Sequence, residues 1–146
     1  MQGAIAPAGG KIFSGRGKRM AKYEHLPIYK RAFELNLYIE KIVRHFSRYH
    51  KYTLGTELRD TARKTVKLII RANNSRDKLN ILIELRELLE ELKLTIRLCK
   101  EVRAFNNFNS FQVAINHTID ISRQNEGWIK SLSSRNSGHG LNPASS

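Results

Sequence analysis

Cysteine is nearly missing from this chain. Cys99 stands alone among 146 residues, so no internal disulfide can form and no cysteine-based zinc site can be built. A reducing cytoplasm suits such a chain. Proline occurs three times, and most of the nine glycines lie near the termini. The middle is therefore free of the two residues that break helices. No apolar run approaches the roughly 18 residues of a membrane span. The basic N-terminal residues have no apolar segment after them, so a secretory signal is not expected. The sequons at Asn73 and Asn116 then read as chance matches.

Catalytic signatures are missing too. Gly15-Arg16-Gly17-Lys18 lacks the spacing and the preceding strand of a phosphate-binding loop. His45 and His50 are five apart and share a helical face poorly, and His117 stands alone. Cys99 continues a leucine stripe and reads as an inert core residue. Glu84, Glu87 and Glu91 share one face, but no histidine or carboxylate motif elsewhere completes a site. They read as a solvated or salt-bridging face. No enzyme activity, cofactor or metal is expected.

Acids are absent from both ends. All 13 lie within residues 20–132, where 21 basic residues leave a net +8. The whole chain carries +13, with a pI near 10.2. Such a field draws polyanions, nucleic acid first among them.

What is present is helical period. Residues 1–21 show none and read as a flexible basic arm, of which 1–19 would be no part of the protein if Met20 is the start. A first helix is expected over Pro27–His50, with Ile28, Ala32, Leu35, Ile39, Ile42, Val43 and Phe46 at spacings of three and four. Tyr52-Thr53-Leu54-Gly55 turns the chain. A second helix is expected over Thr56–Asn73, capped by Thr56, with Leu58, Ala62, Val66, Ile69 and Asn73 inward. Leu68 and Ile70 fall off that stripe.

A third helix, capped by Ser75, is expected over Arg76–Phe105. Leu82, Leu85, Leu89, Leu92, Ile96 and Cys99 set its rhythm. Ile81, Leu88, Leu94, Leu98 and Val102 widen the apolar surface beyond one stripe, which implies cover from a second subunit. Leu68, Ile81, Leu88, Leu94 and Leu98 are the expected oligomer interface. A fourth helix is expected over Ser110–Leu132, and residues 133–146, rich in Ser, Asn and Gly, read as a disordered tail. The sum is all-α: an antiparallel up-down-up-down four-helix bundle over 22–132 with disordered termini.

The basic residues are ordered. Arg59, Arg63, Lys67 and Arg71 repeat at four, with Lys64 beside them and no acid in the row. Lys41, Arg44, Arg48 and Lys51 repeat at three, four, three. Arg86, Lys93, Arg97 and Lys100 form a third row. Like charges one turn apart repel, so helix stability does not require this pattern. A phosphate backbone fits it, with sequence-independent contact. The first two rows are the expected nucleic-acid contacts. Tyr49 and Tyr52 either stack on bases or pack in the turn.

Three stretches carry a family resemblance: Tyr52-Thr53-Leu54-Gly55, Leu58-Arg59 with Ile69-Ile70-Arg71-Ala72-Asn73-Asn74, and Ser122 through Leu132 with its Gly127-Trp128 pair. In this order and spacing, over roughly 22–132, they resemble the small four-helix proteins that include the accessory variability determinant of diversity-generating retroelements. A sister branch is encoded in intervening sequences of ribosomal RNA genes. Glu126 stands where a second glycine would be expected. The resemblance implies a basic homopentamer. It implies association with the element's reverse transcriptase and structured template RNA or an RNA/DNA hybrid, in support of mutagenic cDNA synthesis and retrohoming, without catalysis. The alternatives are the ribosomal branch and a module for an acidic protein partner with no nucleic-acid role.

Overall fold

The computed structural model of the chain describes residues 22–144, with side-chain surroundings for 23–135. After one 3-10 turn (Lys22–His25) come α1 (Pro27–Val43), α2 (Arg48–Tyr52), α3 (Leu54–Asn74), α4 (Lys78–Glu101) and α5 (Phe108–Ala144). α1, α3, α4 and α5 are the four long helices. Each packs against the next and α5 returns to α1, so four helices enclose one core. Cross-helix pairs run in opposite chain order: Arg71 meets Glu84 and Glu57 meets Thr95. Lys100 lies over Phe111 while Arg86 reaches Glu126. Adjacent helices are therefore antiparallel, as expected.

The core follows the predicted stripes except on α3, where Thr65, Leu68 and Ala72 are buried and the expected Val66 and Asn73 are only half-buried. Leu35, Ile39, Leu58, Ile69, Leu82, Leu85, Leu89, Leu92, Ile96 and Ile121 are all fully buried, each stabilising the fold by roughly 1.5–3 kcal/mol. Buried threonines turn their hydroxyls back on their own helices, Thr65 to the Thr61 carbonyl and Thr118 to that of Ala114. Asn36 ties α1 to α3 by donating to the Ala62 carbonyl at 2.8 Å.

The boundaries differ from expectation for local reasons. The first helix stops at Val43, not His50. Phe46 turns inward and meets Phe105 edge-on at 5.6 Å, and Ser47 caps α2 by accepting the His50 N–H. The next helix begins at Leu54, and Thr56 is no cap: its hydroxyl donates to the Lys51 carbonyl. Gly55 makes this reversal possible. A Cβ there would lie 2.8 Å from Val43 Cγ1 and 3.0 Å from the His50 carbonyl oxygen.

Ser75 accepts the N–H of Asp77, but α4 begins only at Lys78. Lys78 Nζ donates to the carbonyls of Ala72, Asn73 and Ser75 at 2.8–3.1 Å, closing the end of α3. α4 ends at Glu101 rather than Phe105. Arg103 takes a left-handed conformation (φ 60°). The Ala104 N–H reaches the Cys99 carbonyl and that of Arg103 reaches Lys100, a Schellman closure.

The last helix starts at Phe108, before Ser110, because Asn107 Oδ1 accepts the Ser110 N–H at 2.9 Å. Leu132, its expected end, is the last hydrophobic residue of α5 packed against the core among those whose side chains are described. The backbone is helical to Ala144. The expected arm, residues 1–21, and the tail end, 145–146, lie outside the described residues.

His117 does not stand alone. Its Nδ1 faces the Val113 carbonyl at 3.0 Å, which places the proton there. Nε2 is then the acceptor facing Arg31 at 3.4 Å, while Arg31 Nε donates to Asp120 at 2.8 Å. The histidine is part of the α1–α5 seam.

Candidate nucleic-acid interface

The α3 row does not lie on one open face. A four-residue step advances about 40° around a helix beyond one full turn, so three steps drift from the α1 side to the α4 side. Arg59 is half-buried. Arg63 bonds Glu40 of α1 at 3.2 Å, and Arg71 bonds Glu84 of α4 at 3.1 Å. Lys64 and Lys67 are exposed, with no ion pair among the described residues. Asp60, on the same helix, also lies 3.8 Å from Arg63, so acids of α1, α3 and α4 neutralise two members of the row.

The α1 row is bent rather than straight. Lys41 and Arg44 close α1, and Arg48 and Lys51 lie on α2. Lys41, Arg44 and Arg48 are exposed and Lys51 is half-buried. No carboxylate of the described residues lies within 4 Å of any of the four. Tyr49 and Tyr52 are 73% and 67% exposed, so they do not pack in the turn. This corner therefore combines unpaired cations with two open aromatic rings, the combination that grips single strands.

Up-down topology adds to the corner. The C-terminus of α4 lies at the same end of the bundle as the C-terminus of α1, and brings Arg97, Lys100 and Arg103 there. Lys100 pairs with Glu101 and covers Phe111 at 4.9 Å. It also faces the negative end of its helix dipole, so its placement has a structural cause. Lys93 pairs with Glu90, and Arg86 makes a two-point bridge to Glu126, both bonds 2.8 Å. That bridge holds the Glu126 carboxyl below its ordinary range and raises Arg86. Glu126 thus has a partner on α4.

Beside the corner, Tyr38, Lys41, His45, Asn106 and Asn107 line a groove of about 310 Å³. Its three asparagines, Asn106 and Asn107 of the loop and Asn109 of the first turn of α5, supply both donors and acceptors. Their clustering was visible in the sequence, but the α1 partners were not.

The five expected interface residues separate. Leu68 and Leu88 lie inside the chain's own core, at 2% and 7% exposure, and Ile81 is packed against that core. Because α4 packs on both α3 and α5, one chain covers more of α4 than a single stripe. Leu94 and Leu98 remain open, and Val102 with them. Phe33 and Leu37, one turn apart on α1, are open as well. The sequence reading missed them because they fall off the stripe and carry no charge.

Other groups are chemically quiet. Burial first, then the charge of Glu57, pushes the Cys99 thiol up to about 12. Burial, then Tyr23 and Glu24, raises the Tyr29 phenol. Glu84, Glu87 and Glu91 flank Lys64 in a small groove. No cluster of three or more metal-ligating side chains occurs among the described residues. No described helix is long and apolar enough to cross a membrane.

Fold and surface together define a small helical bundle with one cationic, aromatic end. The bAvd-like family model matches residues 26–132, most of the chain and nearly the whole bundle. The chain belongs to the bAvd-like family, and that membership supports a diversity-generating retroelement accessory protein. A search of curated proteins found no match.

Proposed function

We propose that this chain is a non-catalytic, basic, homo-oligomeric accessory protein of a diversity-generating retroelement. It binds structured RNA or an RNA/DNA hybrid, associates with the element's reverse transcriptase, and supports mutagenic cDNA synthesis and retrohoming. Family membership is the observation that carries this reading. The carboxylate-free corner of Lys41, Arg44, Arg48 and Lys51, with exposed Lys67 along α3, supports the nucleic-acid part; Lys64 faces Glu84, Glu87 and Glu91 instead. Exposed Leu94, Leu98 and Val102 support self-association, for which a pentamer is the family expectation.

The test uses the full chain. Light scattering gives its mass, and binding of a structured RNA is followed across salt. The expected result is a multimer whose affinity falls steeply with salt. Charge reversal of Lys41, Arg44, Arg48 and Lys51 to Glu should weaken binding at least tenfold. It should also flatten the salt slope by up to about 4, roughly one per lost phosphate contact. A monomer indifferent to RNA would sink the reading and point to an acidic protein partner.

A further inference from the structure

Asn106 and Asn107 line two grooves at once. The first is the groove beside the basic corner, with Lys41 and His45 on it. The second lies between the end of α4 and the start of α5 and has a volume of about 340 Å³. Small-ligand sites begin at about 300 Å³. The shared loop joins the two grooves into one surface, and no carboxylate lines either. Glu101 bonds Lys100 at 3.2 Å but does not line the groove.

The second groove is aromatic as well as basic. Phe111 packs against buried Phe105 and against Phe108, with ring centroids 6.2 and 5.4 Å apart. Phe108 nevertheless remains 60% exposed, so its ring adds little to the core. Arg103 lines the same groove, exposed and with no ion pair among the described residues. A left-handed residue that closes a helix is ordinarily glycine. Here it is Arg103, with φ 60°, which brings a cation to the groove at the expense of an easier turn. An open ring beside an unpaired cation suits a ligand that is flat, apolar on its faces and anionic at one end. An unpaired nucleotide is built that way: its base stacks on an aromatic ring and its phosphate meets a guanidinium. An apolar peptide would leave Arg103 without an anion. Bases inside a duplex have no free face to offer.

We propose that Phe108 is a stacking platform for one unpaired base of the bound strand, with Arg103 on its phosphate. The strand reaches it from the basic corner over Asn106 and Asn107. This rests on the nucleic-acid reading above. It adds a site that takes unpaired bases only, whereas the basic corner meets phosphates of any strand.

The full chain is titrated with a short unpaired RNA oligonucleotide and with a blunt RNA duplex. Phe108→Ala should weaken the unpaired strand about fivefold or more, the effect of one lost base–aromatic stack. Duplex affinity, helicity and light-scattering mass should not change. Phe108→Trp should restore unpaired-strand binding and give a fluorescence signal that the strand quenches. Trp128, the one native tryptophan, lies about 30 Å further along the same helix, so the parent chain should show no matching signal. If Phe108→Ala binds the unpaired strand like the parent and Phe108→Trp is not quenched, while corner reversal weakens both strands, the proposal is wrong, though the phosphate reading stands. If Phe108→Ala lowers the mass to that of one chain, the ring belongs to a contact between copies, and the proposal is equally wrong. If the parent chain binds neither strand, both readings fall together.

Discussion

Gly55 shows how much one hydrogen atom decides. Its backbone passes so close to Val43 and the His50 carbonyl that a methyl group forces the α1–α3 corner apart. Gly55→Ala should destabilise the chain by about 1–3 kcal/mol, measured by urea unfolding. Cys99 is the opposite case, a reactive residue type made inert by burial. With its thiol held near 12, alkylation at pH 8 should be negligible in the folded chain and fast in denaturant. Its sign in stability is also set: the unfolded thiol ionises first as pH rises, so this contribution is lost on the alkaline side. Glu126 works the other way. Its carboxyl is held down by Arg86, so the bridge stabilises the fold above the ordinary carboxylate range and fades as pH falls below it. The acid limb of the Tm-against-pH curve should be shallower in Glu126→Gln.

At the scale of elements, helix ends carry the information that stripes do not. α4 closes through Arg103, a non-glycine residue in left-handed backbone, which costs roughly 1 kcal/mol relative to glycine. Arg103→Gly should therefore raise stability by about 1 kcal/mol. If Arg103 also meets phosphate at the basic end, RNA affinity should fall in the same variant. A loss of stability instead would mean that the arginine side chain holds the loop. α4 also separates two leucines that look alike in sequence. Leu88 is inside the chain and Leu98 is 43% exposed. Leu88→Lys should unfold the bundle, since it buries an unpaired charge.

For the molecule as a whole, the open questions are association and polyanion capture. Leu94→Lys with Leu98→Lys leaves the core untouched, so helicity should persist while light-scattering mass drops to one chain. Unchanged mass would place self-association elsewhere, with Phe33 and Leu37 of α1 the next surface to change. Charge acts at this scale too: a net +13 is distributed so that one corner has no described counter-ion, while Arg63, Arg71, Arg86 and Lys93 are answered from neighbouring helices or turns.

The fold was legible because an apolar stripe of period 3.6 is written in one dimension. Leu82, Leu85, Leu89, Leu92, Ile96 and Cys99 declared their side of α4, and all are buried. Short connections between long helices then left little but antiparallel packing. Three-dimensional placement settled the rest. Whether Arg71 is paired depends on Glu84, 13 residues later and on the next helix. Whether Leu88 is interface or core depends on which two helices flank α4. The orientation of the buried Asn125 amide is fixed only because the Leu82 carbonyl, on another helix, takes one of its protons. A stripe records which side of a helix avoids water. Pairing of charges and satisfaction of hydrogen bonds act over a few ångströms between segments far apart in the chain, and only packing brings those segments together.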